Sequence, residues 1–259
     1  MANLIRPILC LIFFSVFHTQ IALSKENESY SIIETVPHDT SYFTQGLELF
    51  NGILFESGGL YGKSRIRKYH PDTDKALVEF SLADQYFAEG LTLLSDELFV
   101  LTWRKNTLFV LDPDNLKITR KLAYAGEGWG LANNGEELIM SNGSDTITFR
   151  DPATFEVERK INVYSQQHSV RRINELEYAE GFIWANIWRS PFIVKINPNT
   201  GELVEFYDMQ KLVEKHSSGS DERVLNGIAY DADKKAFWVT GKLWPARYLI
   251  KFGKAQKSQ

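Results

Sequence analysis

One unit recurs five times along this chain, and no other feature limits its fold so tightly. Its start reads "QGLEL" at 45, "EGLTL" at 89, "WGLAN" at 129, "NELEY" at 174 and "NGIAY" at 226. A second apolar run follows each start: "GILFESG", "ELFVLTW", "ELIMSNG", "FIWANIW" and "AFWVTGK". The third runs are "SRIRKYHP", "TLFVLDP", "TITFRDP", "FIVKINP" and "RYLIKF". The first four end in a proline turn, where proline presets φ and nearby Asp, Asn or Thr bonds its own backbone. A fourth strand closes four units, as "KALVEFSL", "LKITRKLAY", "FEVERKINV" and "ELVEFYDM".

The fifth unit stops at Phe252 without a fourth strand, whereas "YSIIETVP" (30–37) alternates like a strand and belongs to no unit. An N-terminal strand that completes the last sheet closes a ring. The expected fold is therefore all-β: a five-bladed β-propeller with four antiparallel strands per blade. Two β-sandwich domains are the alternative, and one unit split between the chain's ends makes it awkward. No long helix is expected; Asp208 to Lys215 reads as one turn or two.

Residues 1–24, "MANLIRPILCLIFFSVFHTQIALS", carry one early cation and a short apolar run, the pattern of a signal peptide and too short to span a bilayer. The expected mature domain is 25–259, exported to the periplasm or secreted. The only cysteine, Cys10, lies in that leader, so the mature chain would hold no disulfide. Loss of Arg6 takes the net charge from 29 − 33 = −4 to 28 − 33 = −5. A mildly acidic surface without basic runs argues against nucleic acid. No membrane contact after cleavage and a monomeric state are expected.

In a propeller the first strand of each blade lines the central channel, so its equivalent positions converge on one mouth. They are Gln45, Glu89, Trp129, Asn174 and Asn226. Burying such polar groups is costly unless they satisfy one another, water or a ligand. Loops between second and third strands reach the same face with Trp103, Trp188 and Lys242, while Phe43 and Phe87 add apolar walls. The result is a small aromatic pit with one acid, one cation and three carboxamides, suited to a small molecule or a chain terminus. Glu89 alone reads equally well as part of a water-filled polar network. Trp184, Trp238 and Trp244 read as core. The histidines show no metal-ligand spacing and occupy no channel position, which argues against a zinc centre or a Ser-His-Asp triad. "NGS" at 142–144 and "NES" at 27–29 match glycosylation sequons but serve equally as turns.

"FTQGLEL", "GGLYGKSRIRKY", "FAEGLTLL", "GEGWGL", "NELEY", "ANIW", "LNGIAYD" and "VTGKLWP" occur in this order over nearly the whole expected mature chain. Together they resemble the plant and bacterial glutaminyl-peptide cyclotransferases, five-bladed propellers that convert an N-terminal glutamine to pyroglutamate and release ammonia without a catalytic zinc. The resemblance implies Glu89 as acid/base and carries Gln45, Asn174 and Lys242 over as its polar companions. It also carries over the aromatic walls Phe43, Phe87, Trp103, Trp129 and Trp188. Ala88 stands where plant members have a bulkier apolar residue, and Arg189 where a neutral polar residue is common; both bear on substrate preference.

The chemistry suits these residues. Nucleophile and electrophile lie in one substrate residue, so the protein needs no nucleophile of its own, only geometry, a proton shuttle and charge stabilisation. No cofactor is required on this reading, although a structural calcium would be compatible. The expected partners are peptides and proteins with N-terminal glutamine. Two rivals remain: a non-catalytic propeller binding a small ligand or peptide end, and a lactonase-like propeller with calcium held by Glu89, Asn174 and Asn226. Against the latter, hard cations prefer several carboxylates and the ring offers one.

Overall fold

The structure, a computed structural model, describes residues 29–217, 219–253 and 256–257. The expected leader at 1–24, with Cys10, lies outside these residues, as do Asn27 and Glu28 of the "NES" sequon.

Five small antiparallel sheets surround a central channel. The first four blades begin with the inner strands Thr44–Phe50, Ala88–Leu94, Leu131–Asn133 and Ile173–Ala179, each pairing outward with the next three strands in chain order. The fifth blade runs outward from Leu225–Asp231 through Ala236–Gly241 and Ala246–Phe252. Its outermost strand is Tyr30–Pro37, paired from Tyr30 opposite Phe252 to Pro37 opposite Ala246 with one irregularity between Ile32 and Glu34. The ring thus closes by the exchange expected from the sequence. Neighbouring inner strands pack side by side in blade order, the fifth against the first.

The strand pattern follows from where each face points. Successive side chains of a strand alternate between faces, and in a propeller both faces of a middle strand meet a neighbouring blade. In Glu97–Thr102, Leu98 and Val100 pack with Phe55 and Ile66 of the first blade, whereas Phe99 and Leu101 pack with Leu138 and Met140 of the third. Hence the run "LFVL" is apolar throughout. Five such interfaces make up the core, with Trp184 and Trp244 between the fourth and fifth blades and Trp238 between the fifth and first. Full burial of a large apolar side chain contributes roughly 1.5–3 kcal/mol, so stability is spread around the ring.

The proline turns form as their chemistry requires: Asp112, Asp151 and Asn197, each just before proline, accept backbone N–H bonds from residues two and three positions on. The helix spans Gln210–Ser217, two residues later than expected, because Asp208 stays in the strand Leu203–Asp208 and accepts the N–H of Gln210. The sequence pattern gave no hint of the short hairpin Tyr164–Ser165 with His168–Ser169, or of Gln256–Lys257 added to the fourth sheet beyond its fourth strand.

Candidate active site

The inner strands carry irregularities where polar residues were expected to converge. In four blades the register slips there: between Thr44 and Gly46, Ala88 and Leu91, Ile173 and Leu176, and Leu225 and Ile228. Gln45, Glu89, Asn174 and Asn226 all sit on these β-bulges. A bulge opposes two residues to one and re-aims the extra side chain. In the fifth blade it depends on Gly227 at φ 116, where a Cβ would also press on Thr240 Cγ2 at 3.0 Å. The inner strand of the third blade pairs without a bulge; Trp129 lies just ahead of it and pairs with Ser141.

Three blades each brace the bulge of the next. Ser57 Oγ donates to the carbonyl of Glu89, Ser141 Oγ donates at 2.6 Å to that of Asn174, and Asn186 Oδ1 accepts the N–H of Gly227 at 2.9 Å. Glu175, beside Asn174 on the same bulge, accepts the N–H groups of Leu47 and Ile228. One carboxylate thereby ties the fourth blade to the first and fifth.

Among the ten residues expected at the site, direct contacts join the three carboxamides, link Lys242 with Phe43, Phe87 and Trp103, and pair Trp129 with Trp188. The carboxamides form a chain: Asn174 Nδ2 donates to Asn226 Oδ1 at 2.9 Å, and Asn226 Nδ2 donates to the Thr44 carbonyl at 2.9 Å and to Gln45 Oε1 at 3.4 Å. Asn226 is thus consumed in holding its neighbours, whereas Gln45 Nε2 and Asn174 Oδ1 have no partner among the described residues. Lys242 Nζ lies 4.7 Å from the centroid of the Phe43 ring. From there a collar of edge-on rings runs from Phe43 to Phe87 and Trp103, with centroids 6.3 and 5.5 Å apart, and a second segment pairs Trp129 with Trp188 at 5.6 Å.

Burial controls the charges. Glu89 is only 4% exposed and Lys242 only 5%. Desolvation pushes the Glu89 carboxyl well above the usual carboxylate range; the Lys242 cation opposes this and the Glu127 carboxylate adds to it. Loss of water lowers the Lys242 ammonium to about 8, against the pull of Glu89. Burial thus outweighs the Lys242 cation at Glu89, so this carboxyl holds its proton more tightly than an ordinary one. Such a pit can donate and accept a proton and set one cation against a developing oxyanion.

One member of the pit was missed. Glu127 Oε2 accepts both indole N–H groups, from Trp103 at 2.8 Å and from Trp129 at 3.1 Å. It lies in "GEGWGL", ahead of a strand, where an acid looks like ordinary loop polarity. Trp184, Trp238 and Trp244 are buried as expected, at 2% exposure or less. His38 and His216 serve structural bonds, to Glu56 and to the Tyr248 hydroxyl. Asn142 of "NGS" caps a turn by accepting from Ser144. A groove of about 780 Å³ lies elsewhere, lined by Glu34, Asp72, Asp231 and Trp238, and shares no residue with the pit.

Comparison with known proteins identifies the family and the fold. The family model described as glutamine cyclotransferase matches residues 8–252. A glutaminyl-peptide cyclotransferase of Arabidopsis thaliana is 41% identical over 243 residues, covering 92% of this chain and 75% of the relative. The crystal structure of Myxococcus xanthus glutaminyl cyclase superposes with a TM-score of 0.81 at 33% identity, over 88% of this chain and 97% of the other. The WD40 propeller domain of Doa1, with a TM-score of 0.50 at 11% identity, shares only the fold.

Proposed function

The chain belongs to the glutamine cyclotransferase family, and from that premise we propose how its pit turns N-terminal glutamine into pyroglutamate. The observation that carries the mechanism is a buried acid, Glu89, within the electrostatic reach of a buried cation, Lys242, that lies over the Phe43 ring.

The substrate's neutral α-amine attacks its own δ-carbonyl, forming the ring C–N bond. Glu89 gives its proton to the departing amide nitrogen, which leaves as ammonia, and recovers one from the amine as that nitrogen becomes the lactam N–H. Protons balance without a net change at Glu89. A carboxyl with raised pKa suits this shuttle, because it is protonated when the leaving group needs it. Lys242 polarises the carbonyl oxygen, and Gln45 Nε2 and Asn174 Oδ1 hold the carboxamide. Asn226 fixes both in place. Phe43, Phe87, Trp103, Trp129 and Trp188 wall the side chain and exclude water, which suppresses simple deamidation. The pit takes a chain terminus, so internal glutamines are not substrates.

The non-catalytic and calcium-lactonase readings are not favoured, given the family and its relatives. We propose further that catalysis needs no cofactor, since an intramolecular attack requires neither an added electrophile nor an activated water. Residues 1–24 act as an export signal on this reading, and the protein works as a monomer in the periplasm or outside the cell, without nucleic acid or membrane partners.

The test is ammonia release from glutaminyl dipeptides with chelator present, wild type beside Glu89→Gln. Wild-type release with a loss of about 10²–10⁴-fold in the variant supports the assignment; near-normal turnover by folded Glu89→Gln removes it.

A further inference from the structure

The collar of the pit comes in two segments, and one side chain spans the break. Phe43, Phe87 and Trp103 form one segment and Trp129 with Trp188 the other. They come from four blades, and their ring contacts do not join the two parts. Glu127 does so, because a single carboxylate oxygen accepts the indole N–H of Trp103 and that of Trp129. Its other oxygen accepts from Arg104 Nε at 2.9 Å, and the Arg104 guanidinium lies over the Trp103 ring, 3.7 Å from its centroid.

We propose that Glu127 is a positioning residue of the cyclisation: it sets the two indoles at the orientation that seats the glutamine side chain against Glu89. This rests on the reading of Glu89 given above. An indole has a single donor, so a bond to it fixes the ring's rotation as packing alone does not. Two indoles on one acceptor are fixed relative to each other, whatever the small shifts of their blades. Trp129 gains a further constraint from below, where Gly143 lies against its ring and a Cβ would come within 2.7 Å of Trp129 atoms. A remote loss of alignment of about 1 Å costs on the order of 10²-fold in rate.

The same carboxylate acts on Glu89 through its charge. The charged groups around Glu89 are Lys242 from the fifth blade and Glu127 from the loop ahead of the third, with the Tyr124 hydroxyl also within its influence. Partial burial raises the Glu127 carboxyl, but bonds from Trp129, Trp103 and Arg104 outweigh this and hold it below the usual range, so it is anionic at neutral pH. Removing that charge lets the Glu89 titration fall.

Two variants separate geometry from charge. Glu127→Gln keeps a carbonyl oxygen for the indoles but loses the charge, whereas Glu127→Ala loses both. In full-length enzyme, with Glu89→Gln as reference, kcat/KM for a glutaminyl dipeptide should fall about 10²-fold in Glu127→Ala, with an altered near-ultraviolet circular dichroism signal from the tryptophans. Glu127→Gln should restore most of that loss, and the upper inflection of its pH–rate profile, where Glu89 loses its proton, should move to lower pH. If Glu127→Ala does not fold, the Glu127→Gln profile decides, and an unmoved inflection overturns the proposal. Full activity of Glu127→Ala also overturns it while Glu89→Gln is inactive. An active Glu89→Gln would instead remove the reading on which the proposal rests.

Discussion

Glu56 has no part in the chemistry, yet replacing it with glutamine should do more damage to the fold than any other single-atom exchange near the site. Its carboxylate is fully buried and accepts from Arg67 Nε and Nη2 at 2.9 and 2.7 Å and from Tyr69 Oη at 2.8 Å. It also accepts from Thr44 Oγ1 at 2.6 Å and bonds His38 Nε2 at 2.8 Å. An amide cannot replace its charge, and Arg67, 2% exposed, would lose its buried counter-charge. Breaking one side of a buried pair costs about 3–5 kcal/mol. Asp74 remains 3.1 Å from Arg67, which places Glu56→Gln near the lower bound, about 3 kcal/mol. For a domain of this size that lowers Tm by roughly 6–12 °C. The pH dependence has a fixed sign. Burial raises the Glu56 carboxyl, but Arg67 and His38 outweigh it and hold it well below its ordinary 4.5. Its contribution is therefore complete above the unfolded value and fades as pH drops. Thermal unfolding of both proteins from pH 7 to pH 3 should show the gap narrowing below about pH 4.5. A Tm within 2 °C of wild type at pH 7 (roughly 1 kcal/mol or less) would refute the reasoning.

Three further outcomes follow from the channel and the pit. Glu48, which accepts from Thr92, is pushed by burial from 4.5 up to about 7, so its contribution to stability is present at low pH and lost as pH rises through 7. The shift corresponds to at most about 3 kcal/mol, trimmed to about 1–2 by its partial exposure; Glu48→Gln should flatten the fall in Tm between pH 5 and 8, and an unchanged slope would contradict this. Gly59→Ala places a methyl against the Phe87 ring and 3.0 Å from Gln45 Cγ, and should raise KM for glutaminyl dipeptides about tenfold with little change in Tm. Lys242→Met should lower kcat on the order of 10²-fold if the ammonium stabilises the oxyanion; steady-state kinetics showing a raised KM with unchanged kcat would reduce it to a binding group.

Much of this was legible in the sequence because the repeat gives each residue a place. Once Gln45, Glu89, Trp129, Asn174 and Asn226 share one register, the ring puts them at one mouth whatever the details of packing. The split fifth unit was equally readable, since "YSIIETVP" had no other sheet to join. Interactions between units were harder to read. Glu56 bonds residues before and after it in the chain, and Glu127 reaches Trp103 from 24 positions away. Local pattern carries neither distance. A signal was there for Glu56, a carboxylate inside the apolar run "GILFESG", which only a buried partner explains. The bulges were not readable, because a two-residue step against one leaves the apolar pattern almost intact.

The strand Tyr30–Pro37 is the first described part of the chain to be synthesised, yet its partner Ala246–Phe252 is among the last. Lys242 is held to the same seam: the N–H of Leu243 donates to the carbonyl of Tyr42, and that of His38 to the carbonyl of Pro245. A growing chain can stack four blades while this seam is open, but its acid has no cation opposite. On the proposed mechanism, cyclising power therefore waits on the closing of this seam, and a chain whose last blade is still in the ribosome has none.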